Sequence, residues 1–287
     1  MPSLKTIRTR IQSVKNTQKI TRAQKLIAAA RLRRSQEAIV AARPYARALQ
    51  DTIAETAARA GAEAHPLLAV RPQKKVELIV LTADRGLAGA YNSNINRATE
   101  RYLAEHSVDH ETISISVVGR KGRDYLRRRK KNVTAELAGA NNATALKGAR
   151  ELTHSVIERY LDGRLDAVYL VYNEFKSAIS QTVRVEQLLP IVPKKLPAAA
   201  GGDYLYEPSK EVVLGLIVPL FVEIEIYRAL LESIASFFGA QMTAMDSATK
   251  NAAEMIGKYT LQYNRARQAS ITKELLEIIG GAEALKG

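Results

Sequence analysis

Apolar side chains recur at helical spacing in the first part of the chain. Leu4, Ile7, Ile11 and Val14 follow a 3-4-3 spacing, which places them on one face of a helix. From there to residue 60 the chain contains one proline and no glycine. This pattern predicts a single long N-terminal helix over residues 1–60.

The apolar face of this helix is interrupted in its first half. The next three positions on the face are polar: Gln18, Thr21 and Lys25. A shifted apolar stripe is available nearby, made by Ile20, Ile27 and Ala30, and Leu32 and Ile39 return to the first stripe. A change of stripe of this kind predicts that the helix changes its packing partner along its length.

The C-terminal third carries a longer apolar seam. The seam residues on a strict heptad are Leu220, Ile224, Tyr227, Leu231, Ile234, Phe238, Met245, Ala248, Ala252, Met255 and Tyr259. Gln241 interrupts the seam once. We therefore predict a second helix over residues 209–287, whose continuous stretch from about 209 to 284 would be roughly 110 Å long at 1.5 Å per residue. Pro219 should kink this helix or delay its start, because the proline ring clashes with the preceding turn.

The middle of the chain changes from helical to strand-like spacing. Strands are predicted at residues 76–82, 112–118, 167–173 and 182–186, and helices at about 92–105, 124–129 and 145–161. Strands separated by helices are typical of βαβ units and a partly parallel sheet. The pattern predicts a Rossmann-like α/β domain over residues 75–195, followed by a linker over residues 196–208.

The predicted fold is therefore mixed α/β, with the α/β domain inserted between two long helices. Each terminal helix has an apolar seam that can be buried only against the other. Chain order then makes the pair antiparallel. We expect a long antiparallel coiled coil of the N- and C-terminal helices.

Composition excludes several classes of protein. The chain has 287 residues, 46% of them hydrophobic and 25% charged, and no cysteine, so disulfides and cysteine-ligated zinc are excluded. The longest apolar run, residues 212–222, is too short to cross a bilayer. The first residues lack the apolar region of a secretory signal. We therefore expect a folded protein that is not integral to a membrane.

The net charge of +14 is unevenly distributed. Residues 1–50 contain twelve Lys or Arg and a single acid, Glu37. A solvated helix usually alternates positive and negative charges, so the missing acids favour a charged partner. The candidates are a nucleic acid, an anionic membrane surface and an acidic protein.

Motifs for nucleotide, metal or nucleophilic chemistry are missing. The glycines after the first two strands match neither the dinucleotide-binding loop nor the P-loop, although a nucleotide-dependent α/β enzyme stays a weaker alternative. His106 and His110 are four residues apart without further zinc ligands, which favours a surface pair. We predict no catalytic residue, no cofactor and no metal. A basic coiled-coil nucleic-acid-binding protein stays an alternative, although no aromatic residue precedes Tyr45.

Several ordered motifs resemble the gamma subunit of F-type ATP synthases over essentially the whole chain. The most specific is the segment from Ile271 to Ala284, ITKELLEIIGGAEA, preceded by YNRARQAS at 263–270. The others are NTQKIT at 16–21, TADRGL at 82–87 and DYLYEP at 203–208.

The resemblance implies the central rotor shaft of a proton-translocating ATP synthase, itself non-catalytic. Its partners would be three alpha and three beta subunits, the epsilon subunit and the membrane c-ring. It would lie peripherally at the cytoplasmic face of a bacterial inner membrane. By resemblance, the collar of alpha and beta subunits would contact Arg8, Arg267, Gln268 and Thr272. The foot against the c-ring and epsilon would contain Tyr204, Tyr206 and Glu207.

Overall fold

The computed structural model describes residues 3–60, 65–192, 207 and 209–284. Five helices and five strands lie along these residues. The helices are α1 (Leu4–Ala60), α2 (Tyr91–Glu105), α3 (Arg120–Arg128), α4 (Ala145–Leu161) and α5 (Lys210–Ala284). The strands are β1 (Lys75–Leu81), β2 (Thr112–Val118), β3 (Val133–Leu137), β4 (Ala167–Phe175) and β5 (Gln181–Leu189). The mixed α/β class and the long terminal helices are confirmed.

The strands form one sheet in the order β3-β2-β1-β4-β5. The first four are parallel to one another, and β5 runs antiparallel to β4. Six of the seven residues of β1 are buried, as expected for a central strand covered on both faces. The core of this sheet includes Leu78, Ile95, Val117 and Val171.

Strand β3 was not predicted. Its five residues alternate between half-buried and exposed side chains, and it lies at an edge of the sheet. It follows a run of arginines and lysines, Arg127 to Lys131, that carries no strand signal. Helix α3 also begins at Arg120, four residues before the predicted start, and β5 extends to Leu189, three residues beyond the predicted strand.

The predicted slip of the N-terminal seam is wrong. Ile20 is 61% exposed and Ile27 is 46% exposed, so the shifted stripe faces solvent. The first face continues instead at regular 3-4 spacing through positions that are buried or half-buried. These are Gln18, Thr21, Lys25, Ala28, Leu32, Ser35 and Ile39. The helix keeps one seam and places polar side chains in it.

The C-terminal helix begins at Lys210 and runs through Pro219, which lies in its third turn. Its start is therefore not delayed by the proline. Of the predicted seam residues, Leu231, Ile234, Met245 and Ala252 are buried, whereas Met255 is 43% exposed. The seam thus weakens toward the C-terminus.

Packing divides the described chain into two compact units. Unit one contains the segments 1–27 and 242–287, and unit two contains residues 28–241. Each long helix contributes to both units. The predicted domain boundaries, by contrast, follow the change from helix to sheet along the chain.

Within the part of the chain that the structure describes, no helix is both long enough and apolar enough to cross a lipid bilayer.

Candidate partner-binding surfaces

Unit one pairs the start of α1 with the second half of α5 through polar side chains. The hydroxyl of Thr249 donates to the hydroxyl of Thr21 at 2.8 Å. Lys25 Nζ lies 2.6 Å from Asp246 Oδ1, and Lys250 Nζ lies 3.0 Å from Asp246 Oδ2. Residue numbers rise on one segment as they fall on the other, so the two segments are antiparallel.

The carboxylate of Asp246 is stabilised in its charged form. The hydrogen bonds from Lys25 and Lys250 lower the pKa of Asp246 below its ordinary value. A lowered folded-state pKa contributes stability at neutral pH, and this contribution is lost as the pH falls through that pKa.

Replacing Asp246 by asparagine should therefore cause a small decrease in Tm at pH 7. The difference from the parent chain should narrow as the pH falls from about 4 through the lowered pKa of the folded state, because the aspartate becomes protonated first in the unfolded and then in the folded state. Thermal unfolding of the full chain across this pH range tests the expectation. Glu254→Gln is the matched control, because it removes an exposed acid from the same helix. A Tm decrease in Asp246→Asn that does not vary with pH would contradict this explanation.

The C-terminal part of α5 presents an exposed surface. All side chains from Ile271 to Ala282 are exposed, although several are large and apolar. The exposed apolar residues are Ile271, Leu275, Leu276, Ile278 and Ile279. A contiguous exposed apolar surface on a helix indicates an interaction site.

Three predicted collar residues lie on one face of this exposed helix. Arg267, Gln268 and Thr272 are all exposed, and their spacing places them beside Ile271 and Leu275. The face therefore combines a guanidinium, an amide and a hydroxyl with two apolar side chains.

The remaining predicted site residues fall in different places. Arg8 is exposed in the second turn of α1, within unit one. Its helix starts at a cap, because the amide N–H of Thr6 donates to Ser3 Oγ at 3.2 Å. Glu207 is exposed. Tyr204 and Tyr206 lie outside the described residues.

In the turns that follow β1 and β2, backbone amides donate hydrogen bonds to side chains of the same chain. The amide N–H of Arg120 donates to Asp84 Oδ1 at 3.0 Å, and the amide of Gly139 donates to the same oxygen at 3.1 Å. The amide of Gly122 donates to the Thr82 hydroxyl at 2.9 Å. The first amides of a helix are the groups that bind phosphate in nucleotide sites. On α3 the first amide already binds the carboxylate of Asp84. This contact argues against the alternative that the chain is a nucleotide-dependent enzyme.

The two neighbouring histidines are half-buried rather than on the open surface. Their rings stack at 5.6 Å between centroids. His106 Nδ1 lies 2.9 Å from Asp109, and His110 Nδ1 lies 2.7 Å from the carbonyl oxygen of Gln73. Among the described residues, no group of three or more His, Cys, Asp or Glu side chains could hold a metal ion.

A cluster of one arginine and three glutamates in unit two was not predicted from the sequence. Arg228 on α5 contacts Glu225, Glu232 and Glu186, at distances of 2.7–3.1 Å. Burial alone would lower the pKa of Arg228, but the nearby carboxylates outweigh burial and raise the pKa. The i−3 and i+4 acids were visible as helix neighbours, whereas Glu186 comes from β5 and carried no local signal.

Relatives of known name match the whole chain. A family model described as ATP synthase matches residues 3–285. A protein of Anaeromyxobacter named ATP synthase gamma chain is 53% identical over 290 aligned residues, which cover 100% of both chains. A protein of the same name from Geotalea daltonii is 49% identical over 294 aligned residues, again with 100% of both chains covered.

Solved structures share the fold. A chain from the mitochondrial ATP synthase of Euglena gracilis aligns with a TM-score of 0.68 at 20% identity, covering 98% of this chain and 94% of that one. A chain from the central stalk and c-ring structure of the Tetrahymena thermophila mitochondrial ATP synthase aligns with a TM-score of 0.59 at 23% identity. The alignment covers 80% of this chain and 99% of that one. At these identities the structures support the fold, and the family is shown by the sequence matches. This chain belongs to the ATP synthase gamma chain family.

Proposed function

We propose that this chain is the central rotor shaft of a proton-translocating ATP synthase. Turned by the membrane c-ring, it forces the catalytic beta subunits through successive conformations. The observation that carries the proposal is the match to named gamma chains over the full length, at about half identity. That match leaves the nucleic-acid alternative without support.

The shaft itself carries no catalytic residue in this proposal. Its partners are three alpha and three beta subunits, the epsilon subunit and the c-ring. It is held peripherally at the cytoplasmic face of a bacterial inner membrane through the complex.

The exposed C-terminal part of α5 is suited to a collar formed by other subunits. We assign Arg267, Gln268 and Thr272 to contacts with beta-subunit loops, and Arg8 to the same collar. The segments of unit one are antiparallel, so the first turns of α1 lie toward the exposed end of α5. The apolar side chains beside Arg267 are covered only if a partner surrounds them.

The foot is assigned to the segment that precedes α5. We propose that Tyr204, Tyr206 and Glu207 contact the c-ring loops and the epsilon subunit. Glu207 is exposed three residues before the start of α5 and is available for such a contact.

Copurification tests the assembly directly. A tag on the beta subunit should recover this chain together with the alpha and epsilon subunits and the c-ring. Recovery of the other subunits without this chain would contradict the proposal.

The collar assignment predicts a loss of coupling in the variant R267A/Q268A/T272A. ATP-driven proton pumping by membranes carrying this variant should fall by about tenfold, the effect of losing roughly 1–2 kcal/mol of interaction. The physical reason is that the variant removes a cation and two hydrogen-bonding groups from one face of the helix. Pumping is measured as the quenching of a pH-sensitive dye, with the amount of assembled complex determined in parallel.

A matched control lies on the opposite face of the same helix. The variant Q262A/K273A/E277A also shortens three exposed polar side chains, and Lys273 pairs only weakly with Glu277 at 3.4 Å. We expect this control to retain most of the pumping. Equal losses in the two variants would show that the collar residues are wrongly assigned.

A further inference from the structure

A second basic segment lies in unit two. Residues 120–131 comprise α3 and the turn that follows it, and they contain eight Lys or Arg and a single acid, Asp124. This segment and residues 1–50 together carry more than the whole net charge of +14, so the rest of the chain is net negative. The charge of α3 is therefore a local feature of the sheet and not part of a generally basic surface.

Half of these cations have no carboxylate within ion-pair distance among the described residues. Three arginines are paired: Arg127 with Glu136 at 2.6 Å, Arg129 with Glu100 at 2.5 Å and Arg123 with Asp124 at 2.8 Å. Arg120 lies 3.8 Å from Asp84. The remaining cations are Lys121, Arg128, Lys130 and Lys131, and all four are exposed.

Topology places three of these cations along one edge of the sheet, namely the edge formed by the first residues of the parallel strands. Arg128, Lys130 and Lys131 come just before β3, so they lie at the edge where the four parallel strands begin. Strand β5 runs antiparallel to β4 and therefore ends at this same edge. There the amide N–H of Ile191 donates to the carbonyl oxygen of Leu67 at 2.9 Å. Ile191 also lines a cavity with Phe221 and Glu225 of α5. The first turns of α5, which follow Glu207 of the proposed foot, therefore lie at the edge that carries the unpaired cations.

The surface around these cations has no apolar centre. Leu126 is fully buried, and Tyr125 is covered by the guanidinium of Arg129, whose Cζ lies 4.0 Å from the ring centroid. The Tyr125 hydroxyl donates to Glu100 at 2.7 Å. Specific protein interfaces are depleted of lysine and centred on buried apolar or aromatic groups. This surface is instead rich in lysine and arginine and has no such centre. Long, exposed, unpaired cations favour a diffuse layer of negative charge.

We propose that Arg128, Lys130 and Lys131 bind the anionic phosphate headgroups of the membrane surface. This inference rests on the proposed function, because the c-ring foot brings the same edge of the sheet toward the membrane. Each Lys or Arg near an anionic leaflet adds attraction that decays within a Debye length. Such attraction is the same at every angle of rotation, so it holds the shaft toward the membrane without opposing its turning.

The test measures the distance from this edge to the lipid in the assembled complex. The chain has no cysteine, so Asn132→Cys, at an exposed position beside the cations, accepts a single fluorophore before assembly. The complex is reconstituted into phosphatidylcholine vesicles with or without phosphatidylglycerol, both containing a headgroup-attached quencher. We expect about twofold more quenching with phosphatidylglycerol, and loss of this difference in high salt.

The variant R128Q/K130N/K131Q should abolish the difference between the two lipids. Asparagine is chosen at position 130 because Lys130 has φ of +53° and asparagine tolerates this conformation. The control R10Q/K15Q/K19Q removes three exposed cations from α1 and should keep the difference.

Two outcomes would overturn the inference. One is equal quenching in both lipids by the parent complex. The other is an equal effect of the variant in neutral and anionic vesicles, which would indicate an acidic protein as the partner. Assembly and ATP-driven pumping are measured in the same samples. If the parent chain failed to assemble with the other subunits or to support pumping, the result would count against the proposed function instead.

Discussion

Replacing Arg159 by methionine should lower the free energy of unfolding by about 3–5 kcal/mol, because it leaves a buried carboxylate without its counter-charge. Glu77 lies in the central strand β1 and its side chain is 0% exposed. Arg159 on α4 approaches both carboxylate oxygens, with Nη1 at 2.5 Å and Nη2 at 2.9 Å. The hydroxyl of Ser116 donates to the same carboxylate.

The size of this effect distinguishes a buried ion pair from an exposed one. Arg164→Met removes an arginine that pairs with Glu158 and Asp162, all three about half exposed. An exposed pair contributes about 0–1 kcal/mol, so this control should be nearly neutral. Urea unfolding of the full chain, followed by the near-ultraviolet signal of its tyrosines, measures both variants.

Removing both members of the buried pair should cost less than removing the arginine alone. In E77Q/R159M the buried group is neutral and can still accept a hydrogen bond from Ser116, so much of the loss should be recovered. A double variant as unstable as Arg159→Met would show that packing of the arginine stem, and not its charge, accounts for the loss.

The terminal helices could be predicted because their signal is long and periodic. The start of α5 was predicted at 209 and is observed at Lys210, whereas its predicted end, 287, lies outside the described residues. Thr21 and Lys25 were predicted to interrupt the seam of α1, because a polar side chain in a helix seam usually lacks a partner. In the structure each is satisfied by a partner on α5, which a pattern within one helix cannot show.

The sheet was less predictable where its signals were short. Strand β3 has five residues and none is fully buried, so its apolar alternation is weak. Glu77 is a further limit, since an acid in a strand suggests an exposed position. Its burial depends on an arginine 82 residues later in the chain, and only the folded sheet brings the two together.

The candidate collar could be located only through resemblance. Arg267, Gln268 and Thr272 are exposed polar residues on a helix, and nothing in their chemistry distinguishes them from their neighbours. The physical signal is the unburied apolar surface beside them, including Ile271 and Leu275.

Replacing Gly119 by alanine should destabilise the sheet by at least about 3 kcal/mol, since it combines backbone strain with a steric clash. Gly119 ends the turn after β2 with φ of +94°, a conformation that disfavours any side chain. An added Cβ would lie 2.3 Å from the carbonyl oxygen of Thr82 and 2.7 Å from the carbonyl carbon of the same residue. Both are backbone atoms of the neighbouring turn.

Neither turn at Gly119 can move away easily. The amide of Gly119 donates to the carbonyl oxygen of Leu137 at 3.0 Å, and the amide of Thr82 donates to the carbonyl oxygen of Val118 at 2.8 Å. Relief of the clash would break hydrogen bonds that join the carboxyl ends of β1, β2 and β3. Gly163→Ala is the control, because Gly163 also has positive φ, +68°, but an added Cβ would meet nothing within 4 Å. It should cost only about 1–2 kcal/mol, the strain of the left-handed conformation. Equal losses in the two variants would mean that the turns relax around the new methyl group, and that strain alone selects glycine at both positions.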